Sequence, residues 1–427
     1  IRKKLLYTLM MLVVIRIGSL LPIPGVDTEY FSTLLSGFNS GDLSYLSAFT
    51  GGSFEKMSLF ALSITPYITS SIIMQLLTIA IPKLEEMQKE GEDGRKKIAS
   101  ITRYVTIALA LIESIAMAVG FGRQGLIKDY KDMSTIHYVT CIIVVVAALT
   151  AGSAVLMWIG ERITEKGVGN GISIVLLINI ISGMPSDFVT LYSTFVANKS
   201  IARGVTVAVI IAAIVIAVVV LVVILQDGER RIPVQYSQKV AGRKTIGGQA
   251  TNIPLKVNTA GVMPIIFASS IMQFPVIIVQ LFTSNSYEWT KYLSQSYWCR
   301  VQMPKYSIGL LLYIILVVVF AYFYTSITFN PVQIADNLKK AGGVVPGITP
   351  GRSTSEYLNK ILNYIVFIGA VGLMIVALIP IMCTGFFNAS VSFGGTSIII
   401  IVGVVLETMK QIESMMVNRN YRGFLSE

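Results

Sequence analysis

The sequence predicts an all-α polytopic membrane protein with ten transmembrane helices in two inverted five-helix halves. Three observations support this prediction: the apolar composition, the number of long apolar runs, and the placement of the basic loops. Of the 427 residues, 54% are hydrophobic and 13% are charged, and the mean hydropathy is +0.71. A soluble domain carries about 25% charged residues, so an ordinary water-soluble enzyme is excluded. The apolar content also excludes a disordered or nucleic-acid-binding arm.

Nine apolar runs are long enough to cross a membrane, for which a helix needs about 20 residues. They lie near residues 5–22, 57–81, 98–121, 138–160, 204–225, 257–282, 306–329, 358–383 and 393–417. A tenth run, 171–184, is shorter and ends at Pro185. Its length alone predicts a re-entrant or buried segment.

The basic loops indicate that this weak run also spans. Loops 82–97 and 226–256 are rich in Lys and Arg, so both should face the cytoplasm. Both can do so only if the chain crosses once more between residues 161 and 204. The ten-helix topology then places 24 basic and 14 acidic residues inside, against 9 and 8 outside, for net charges of +10 and +1. The net charge of +11 therefore reflects the orientation of the chain in the membrane, with both termini in the cytoplasm.

The N-terminal run has some features of a signal peptide. It follows three basic residues, but Arg16 interrupts it and no small-residue cleavage site comes after it. We interpret it as the first transmembrane helix. The chain begins at Ile1 rather than at Met, so we expect some N-terminal residues to be missing.

Two ten-residue segments resemble each other. Both begin with Pro, have Ile two residues later, continue through Ser-Ser and end in Met-Gln, at residues 66–75 and 264–273. They fall in the second and seventh predicted spans, five crossings apart, so they would belong to inverted repeats. Such repeats place the functional path at their interface. The alternative is that short Ile, Ser and Met patterns recur by chance in an apolar protein.

Residues 43–54 are semi-apolar but too short to cross, and Gly51-Gly52 separates them from the next helix. Exposure to lipid would leave their backbone groups unpaired, so this segment should pack inside the protein or in a cavity. Two interpretations stay open, an outer loop folded over the helices and a movable stopper.

The sequence lacks the residues that catalysis or metal binding would require. His137 is the only histidine, no HExxH or phosphate-binding loop occurs, and the three cysteines (Cys141, Cys299 and Cys383) are far apart. The glycine-rich run 167–171 follows a charged loop rather than a strand, so we expect a flexible entry to a helix. We therefore expect no enzyme activity, no metal and no cofactor, and any energy must come from a partner or a gradient.

Few polar residues fall within the predicted spans. Glu113 lies in the middle of one, and Gln75 and Asn258 lie on others. A charge at the bilayer centre is costly, so Glu113 should have partners or be protonated. We favour a polar seam between helices. A proton site and a purely structural hydrogen-bond cluster are the alternatives.

Two long inside loops carry much of the basic charge. Loop 226–257 alternates polar and apolar residues around a turn, which predicts a hairpin, and loop 330–357 is similarly long. Their length favours docking arms for a large cytoplasmic partner, such as an ATPase or ribosomal RNA. The alternative is a set of topology signals that also meet anionic lipid. The candidate docking residues are Arg230, Arg231, Lys239, Arg243, Lys244, Lys339, Lys340 and Arg352.

Specific motifs along the whole chain resemble the SecY family of bacterial protein-conducting channels. They are GSLLPIPGVD at 18–27, KEGEDGRK at 89–96, GERIT at 160–164, GNGIS at 169–173, GERRIPV at 228–234, FNP at 329–331, ADNLKK at 335–340 and FGGTS at 393–397.

The resemblance implies two inverted halves, residues 1–184 and 204–427, around an hourglass pore in the bacterial cytoplasmic membrane. Unfolded preproteins with signal sequences would cross it, and apolar segments would leave sideways into lipid. The implied pore ring is Ile64, Ile68, Ile172, Leu176, Ile266 and Ile400. Residues 43–54 would form the plug, represented by Leu43, Tyr45, Leu46, Phe49, Gly51 and Gly52.

The resemblance also assigns the polar residues and the partners. Gln75, Glu113 and Asn258 would form the polar seam of a lateral gate between the second and third and the seventh and eighth spans. The docking arms would bind the SecA ATPase or the ribosome. SecE and SecG would complete the complex in the membrane.

One residue departs from the family pattern Val-Pro-Gly-Ile-Arg-Pro-Gly in the last basic loop. Thr349 stands where the Arg is expected, and Arg352 follows three residues later. Either partner activation through this loop is altered, or Arg352 substitutes. An ion- or proton-coupled solute transporter is the alternative function, supported by the repeats and Glu113, whereas an intramembrane protease lacks a nucleophile–base pair.

Overall fold

The computed structural model describes most of the chain. The described residues are 2–37, 50–122, 126–127, 134–193, 201–236, 239–241, 244–246, 250–282, 287–299, 303–387 and 395–424. Helices dominate both halves of the chain, with small strands in the second half only among these residues.

The elements of the first half are helices. They are α1 (Arg2–Leu20), α2 (Thr28–Gly37), α3 (Thr65–Ala80), α4 (Pro82–Lys89), α5 (Glu92–Phe121), α6 (Thr135–Lys166) and α7 (Gly171–Leu191). The second half adds further helices and short strands. They are α8 (Ile201–Asp227), β1 (Glu229–Tyr236), β2 (Lys239–Ala241), β3 (Lys244–Ile246), β4 (Ala250–Lys256), α9 (Met263–Phe282), α10 (Glu288–Leu293), α11 (Ile308–Thr328), α12 (Pro331–Lys340), β5 (Gly343–Val344), α13 (Arg352–Phe387) and α14 (Gly395–Phe424).

Within the described ranges, ten helices have 16 residues or more, and each coincides with one predicted run. Five of the ten, α5, α6, α8, α11 and α13, contain stretches that are long and apolar enough to cross a membrane by themselves. Helices α3 and α4 together make a sixth candidate, bent by 105° at the break between them. The number of crossings therefore stays a prediction, because length and composition do not decide it for the shorter helices.

The weak run is longer in the structure than its apolar residues indicate. Helix α7 continues through Pro185 to Leu191 and has 21 residues. At 1.5 Å per residue this helix is about 31 Å long, close to the thickness of the hydrocarbon core. The sequence-based end at Pro185 is therefore wrong.

The two similar segments begin their helices in the same way. Both apolar runs open with turns rather than a helix, and the helices start only at Thr65 and Met263. Pro66 and Pro264 each stand at the second helical position, where the missing N–H is not needed. This equivalence supports the internal repeat.

Each half packs mainly on itself, and two helix pairs join the halves. In the first half, α5 packs against α3 and α6, and α7 packs against α6. In the second half, α11 packs against α9 and α13, and α8 packs against α13 and α14. Contacts of α5 with α9 and of α7 with α14 connect the halves. The largest buried apolar cluster lies between them.

The 50–64 segment, which precedes α3, is irregular but buried. Met57, Ser58 and Ile64 have no exposed surface. Helix α6 approaches this segment so closely that a Cβ on Gly152 would lie 1.9 Å from the Leu59 carbonyl oxygen. Irregular backbone at this depth is tolerated because it packs inside the protein.

The two long loops form one unit with a common core. Strand β1 pairs antiparallel with β4, in register from Glu229 opposite Lys256 to Gln235 opposite Ala250, which confirms the predicted hairpin. Strand β5, from the second loop, pairs with the other edge of β1. The sheet packs on α12 and α13 through a buried cluster of Ile232, Val234, Leu255, Leu338, Val345, Leu358, Ile361 and Ile365. The two long loops therefore share one sheet and one buried cluster.

Candidate functional site

A cavity of about 460 Å³ lies between the halves. Its walls come from α3 and α7 of the first half, from α8, α9, α11 and α14 of the second, and from the end of β4 with the turns at 257–262. The wall is mixed, with branched apolar side chains, neutral amides and hydroxyls, and a few charged groups.

Five of the six predicted pore-ring residues line this cavity. They are Ile68, Ile172, Leu176, Ile266 and Ile400. Ile64 is fully buried and does not line it, but all six belong to, or pack against, the same buried apolar cluster. The structure thus brings together residues that are up to 336 positions apart in the chain.

Local structure explains how these side chains reach the cavity. Ile68 and Ile266 each follow a helix-starting proline by two residues. The Asn170 side chain caps α7 by accepting the N–H of Ile172 at 3.1 Å. Leu176 lies four residues further on, on the same face of that helix.

The predicted polar seam is only partly brought together. Gln75 and Asn258 line the cavity from α3 and from the turn before α9. Glu113 lies in α5, is half-buried, and is not among the residues that line the cavity. A joint role of all three therefore has no support from their placement.

Three side-chain amide atoms on the cavity wall are buried without a hydrogen-bond partner among the described residues. They are Gln75 Oε1, Gln226 Nε2 and Asn258 Nδ2. Buried polar groups are normally paired, so these donors and acceptors are available to an occupant of the cavity. Sequence reasoning missed Gln226, which the polar break at the end of the run 204–225 could have indicated.

Charged residues also line the cavity, and the sequence did not predict this. Lys256, Glu407 and Lys410 contribute to the wall, and Lys410 Nζ lies 2.6 Å from Asp227 Oδ1. The pair joins α14 to the end of α8, just before the hairpin. The cavity is therefore apolar at the ring and charged where the docking arm begins.

Most of the predicted plug lies outside the described residues, including Leu43, Tyr45, Leu46 and Phe49. Gly51 and Gly52 are described and adopt positive φ angles of 63° and 78°. A Cβ on Gly51 would lie 2.5 Å from Ser182 Oγ and 2.7 Å from the Asn179 carbonyl oxygen. Only glycine combines this backbone conformation with so close an approach to α7.

The described docking residues are exposed. Arg230 and Arg231 lie on β1, where Arg231 Nη2 is 2.7 Å from Glu229 Oε1. Lys339 and Lys340 occupy the last turn of α12. Lys239 and Lys244 stand on β2 and β3, whose side chains are not described, and Arg243 lies outside the described residues.

The departure at Thr349 has a local structural basis. Its hydroxyl donates to Ser353 Oγ at 2.9 Å, and its carbonyl oxygen accepts the Thr354 hydroxyl at 2.9 Å, so both contacts link this residue to the first turn of α13. Arg352 has a 93% exposed side chain and pairs with Glu356 at 3.0 Å. The Arg352 guanidinium therefore lies in solvent close to the position expected from the family, paired with Glu356.

The described residues contain no group of three or more His, Cys, Asp or Glu side chains that could hold a metal ion. Cys141 and Cys299 are both free thiols. Burial raises the pKa of the Cys299 thiol.

Comparisons with known proteins agree with this architecture. The sequence model of the SecY family matches residues 58–409. The chain belongs to the SecY family. A SecY protein translocase subunit from Streptomyces galbus is 43% identical over 440 residues, covering 100% of this chain and 97% of the relative. The corresponding subunit of Bacillus subtilis is 41% identical over 432 residues, covering 100% and 96%.

Solved structures share the fold of this chain. A protein-conducting channel superposes with a TM-score of 0.62 at 17% identity, covering 97% of this chain and 93% of the other. A SecY structure superposes with a TM-score of 0.64 at 17% identity, covering 97% of this chain and 92% of the other. That structure was described for a plug domain that stabilises the closed state of the channel. Canine Sec61 from a ribosome–channel complex gives 0.59 at 17% identity, covering 97% and 93%. The SecY fold is therefore present along nearly the whole chain.

Proposed function

We propose that this chain is the protein-conducting subunit of a bacterial protein translocase, and that unfolded polypeptides pass between its two halves. One observation supports this most directly. Branched apolar residues from α3, α7, α9 and α14, on both halves of the chain, meet at one cavity. The relatives at 41–43% identity are protein translocase subunits.

The ring would act as a seal that resists ions but not polypeptides. Branched apolar side chains at a narrow point exclude water, and a dewetted constriction blocks hydrated ions. The same side chains are compliant and form no fixed hydrogen bonds, so a chain of any sequence can slide past. The residues we assign to this ring are Ile64, Ile68, Ile172, Leu176, Ile266 and Ile400.

The unpaired amides suit an extended polypeptide. A chain in the cavity presents backbone N–H and C=O groups that need partners once they leave water. Gln75, Gln226 and Asn258 can supply donors and acceptors from the cavity wall. Gln75 and Asn258 would form the polar part of a lateral gate through which apolar segments enter lipid.

The charge distribution supports an orientation with both termini and both arms in the cytoplasm of a bacterial cell, the chain lying in the cytoplasmic membrane. The two halves, residues 1–184 and 204–427, would then be inverted repeats, and residues 43–54 the plug. A Sec61 channel and a yeast Ssh1 complex have been solved with ribosomes. We infer that the joined arms of this chain bind a ribosome or the SecA ATPase, with SecE, SecG and anionic lipid as further partners.

The alternative of a proton-coupled solute transporter gains no support. Glu113, which suggested it, is not part of the cavity wall, and the relatives reported above are translocase subunits. The channel is accordingly the one function proposed.

The proposal is tested by purifying the tagged chain from its own membranes and identifying the small membrane proteins that come with it. The purified complex, placed in liposomes, should import a signal-bearing preprotein only when SecA and ATP are added. Import of small solutes without any partner would contradict the proposal.

A further inference from the structure

The glycine-rich turn at residues 167–171 joins α6 to α7, and the channel mechanism so far gives it no role. The sequence predicted a flexible entry to a helix, but the first three residues of the turn are buried. The turn stands directly before Ile172 and Leu176, two of the residues assigned to the ring. Its position therefore determines where α7 begins and where these two side chains lie.

Two side chains from the first half hold this turn. The Val168 N–H donates to the Thr8 hydroxyl of α1 at 3.1 Å, and the Gly171 N–H donates to the Thr164 hydroxyl of α6 at 2.9 Å. The N–H groups at the start of a helix lack partners within the helix, so side chains that accept them fix the helix start. Both contacts lie within one half of the chain, so neither fixes the turn relative to the other half.

A third side chain reaches the turn from the second half. The side-chain oxygen of Gln411, on α14, accepts a hydrogen bond from the Gly169 N–H. The two parts also approach closely, because Gly169 has a φ of 82° and a Cβ there would lie 3.0 Å from Thr408 Oγ1 of α14. Of the hydrogen bonds that the described residues make to this turn, only the one to Gln411 joins the two halves.

Gln411 lies on the same face of α14 as the ring residue Ile400. The two are 11 residues apart in the chain. That separation is about three helical turns, or about 16 Å along the helix axis. Helix α14 therefore faces the cavity at one level through Ile400 and holds the start of α7 at another level through Gln411.

We propose that Gln411 is a positioning residue that fixes the start of α7 to α14 and thereby holds Ile172 and Leu176 in register with Ile400 in the closed ring. The inference rests on the proposed channel and its ring. The pair α7 and α14 is one of the two helix pairs that join the halves. Loss of the Gln411 contact lets the start of α7 shift against α14, so a larger share of the channels has an imperfect seal.

The test measures the resting ion conductance of the purified channel complex in planar bilayers without any polypeptide. Gln411→Leu removes the acceptor at similar size and is expected to raise the conductance about fivefold, the factor that corresponds to one neutral hydrogen bond. Gln411→Glu keeps an acceptor oxygen and should stay within about twofold of the wild type. A leak in both variants would overturn the proposal, because it would not depend on the acceptor.

Thr8→Val is the matched control. It removes an acceptor from the same turn and keeps the branched shape of the side chain, but the lost hydrogen bond lies within the first half. Thr8→Val and Gln411→Leu should lower the midpoint of thermal unfolding by similar amounts, whereas only Gln411→Leu should raise the conductance. Equal conductance in the two variants would reduce Gln411 to a structural role. An ion-tight Gln411→Leu channel would equally contradict the proposal.

A ring variant distinguishes this inference from the ring assignment itself. Ile172→Ala combined with Ile400→Ala shortens two ring side chains and should raise the resting conductance if the ring is the seal. If this double variant is as ion-tight as the wild type, the ring assignment fails, and the role of Gln411 fails with it. If the double variant conducts while Gln411→Leu stays tight, the ring assignment stands and only the role of Gln411 is overturned.

Discussion

Ile68 and Ile266 line one cavity from opposite halves of the chain, and each follows a helix-starting proline by two residues. The short sequence repeat therefore places one residue from each half of the chain at the same cavity. If polypeptides pass through the cavity, both side chains must touch them.

Cysteines introduced at Ile68, Ile266 or Ile400 should therefore crosslink to a preprotein during ATP-driven transport. The background chain has its three native cysteines replaced by Ser. Crosslinks are detected as a mass shift on denaturing gels, after transport is halted by a folded domain at the end of the preprotein.

Ile143 provides the control position for this experiment. It lies on α6, is 61% exposed and does not line the cavity. Equal crosslinking from Ile143→Cys and from the ring positions would show that polypeptides do not take this route.

Glu113→Gln should leave preprotein transport within about twofold of the wild type. The residue lies on α5 outside the cavity wall, and Gln keeps its size while removing its charge. The measurement is the initial rate of SecA-driven import into liposomes. A loss of more than tenfold, or a parallel loss of proton-driven solute uptake, would favour the transporter instead.

Charge reversal on the docking arm should weaken partner binding in a salt-dependent way. Arg230 and Arg231 are exposed on β1, so their attraction to an acidic partner is screened by salt. Changing both to Glu, together with Arg243, should reduce the affinity more at low salt than at high salt. Binding is measured by titrating SecA or ribosomes against the labelled channel.

Leu338→Ala is the contrasting variant for the arm. Leu338 belongs to the buried cluster beneath the three-stranded sheet, and truncation of such a side chain costs about 2–5 kcal/mol. We expect it to weaken binding equally at all salt concentrations, because it loosens the base of both arms. If the charge-reversal variant also lost affinity independently of salt, its effect would be misfolding rather than docking.

Gly152→Ala should destabilise the first half of the protein. Its new Cβ would lie 1.9 Å from the Leu59 carbonyl oxygen, which belongs to the backbone and cannot rotate away. Overpacking of this kind costs about 1–3 kcal/mol. The measurement is the midpoint of thermal unfolding in detergent, followed by tryptophan fluorescence.

Gly183→Ala is the matched control on α7. A Cβ there meets nothing within 4 Å, and Ala is favoured over Gly in a helix by about 1 kcal/mol. This variant should unfold at the same temperature as the wild type or higher. Equal destabilisation by both changes would mean that the contact between α6 and the 50–64 segment is unimportant.

Some parts of the fold could be predicted from the residues and others could not. The run 57–81 predicted a helix from its start, yet the helix begins at Thr65, because the preceding turns pack against α6 and α7 as irregular chain. Pro185 predicted the end of α7, but the helix continues to Leu191. In both cases tertiary packing overrides the local signal.

The candidate site shows the same division. Gln75 and Asn258 are polar residues in apolar runs, so their importance is visible in the sequence. Glu113 has the same signal but lies off the cavity wall. Gln226 was visible only as the polar break after the run 204–225. The pair Asp227–Lys410 gave no signal of its own, because it forms only where α8 meets α14.

The sequence by itself determined the membrane class, the long helical runs, the orientation expected from charge and the family motifs. Each of these features depends on composition or on residues close together in the chain. Apolar runs and clusters of Lys and Arg are visible in the sequence without knowledge of the tertiary contacts. Only the tertiary structure decided that five ring residues meet at one cavity, that the two arms share one sheet, and that Gln411 accepts a hydrogen bond from Gly169. Those contacts join residues tens to hundreds of positions apart, so they form only when the apolar helices pack together.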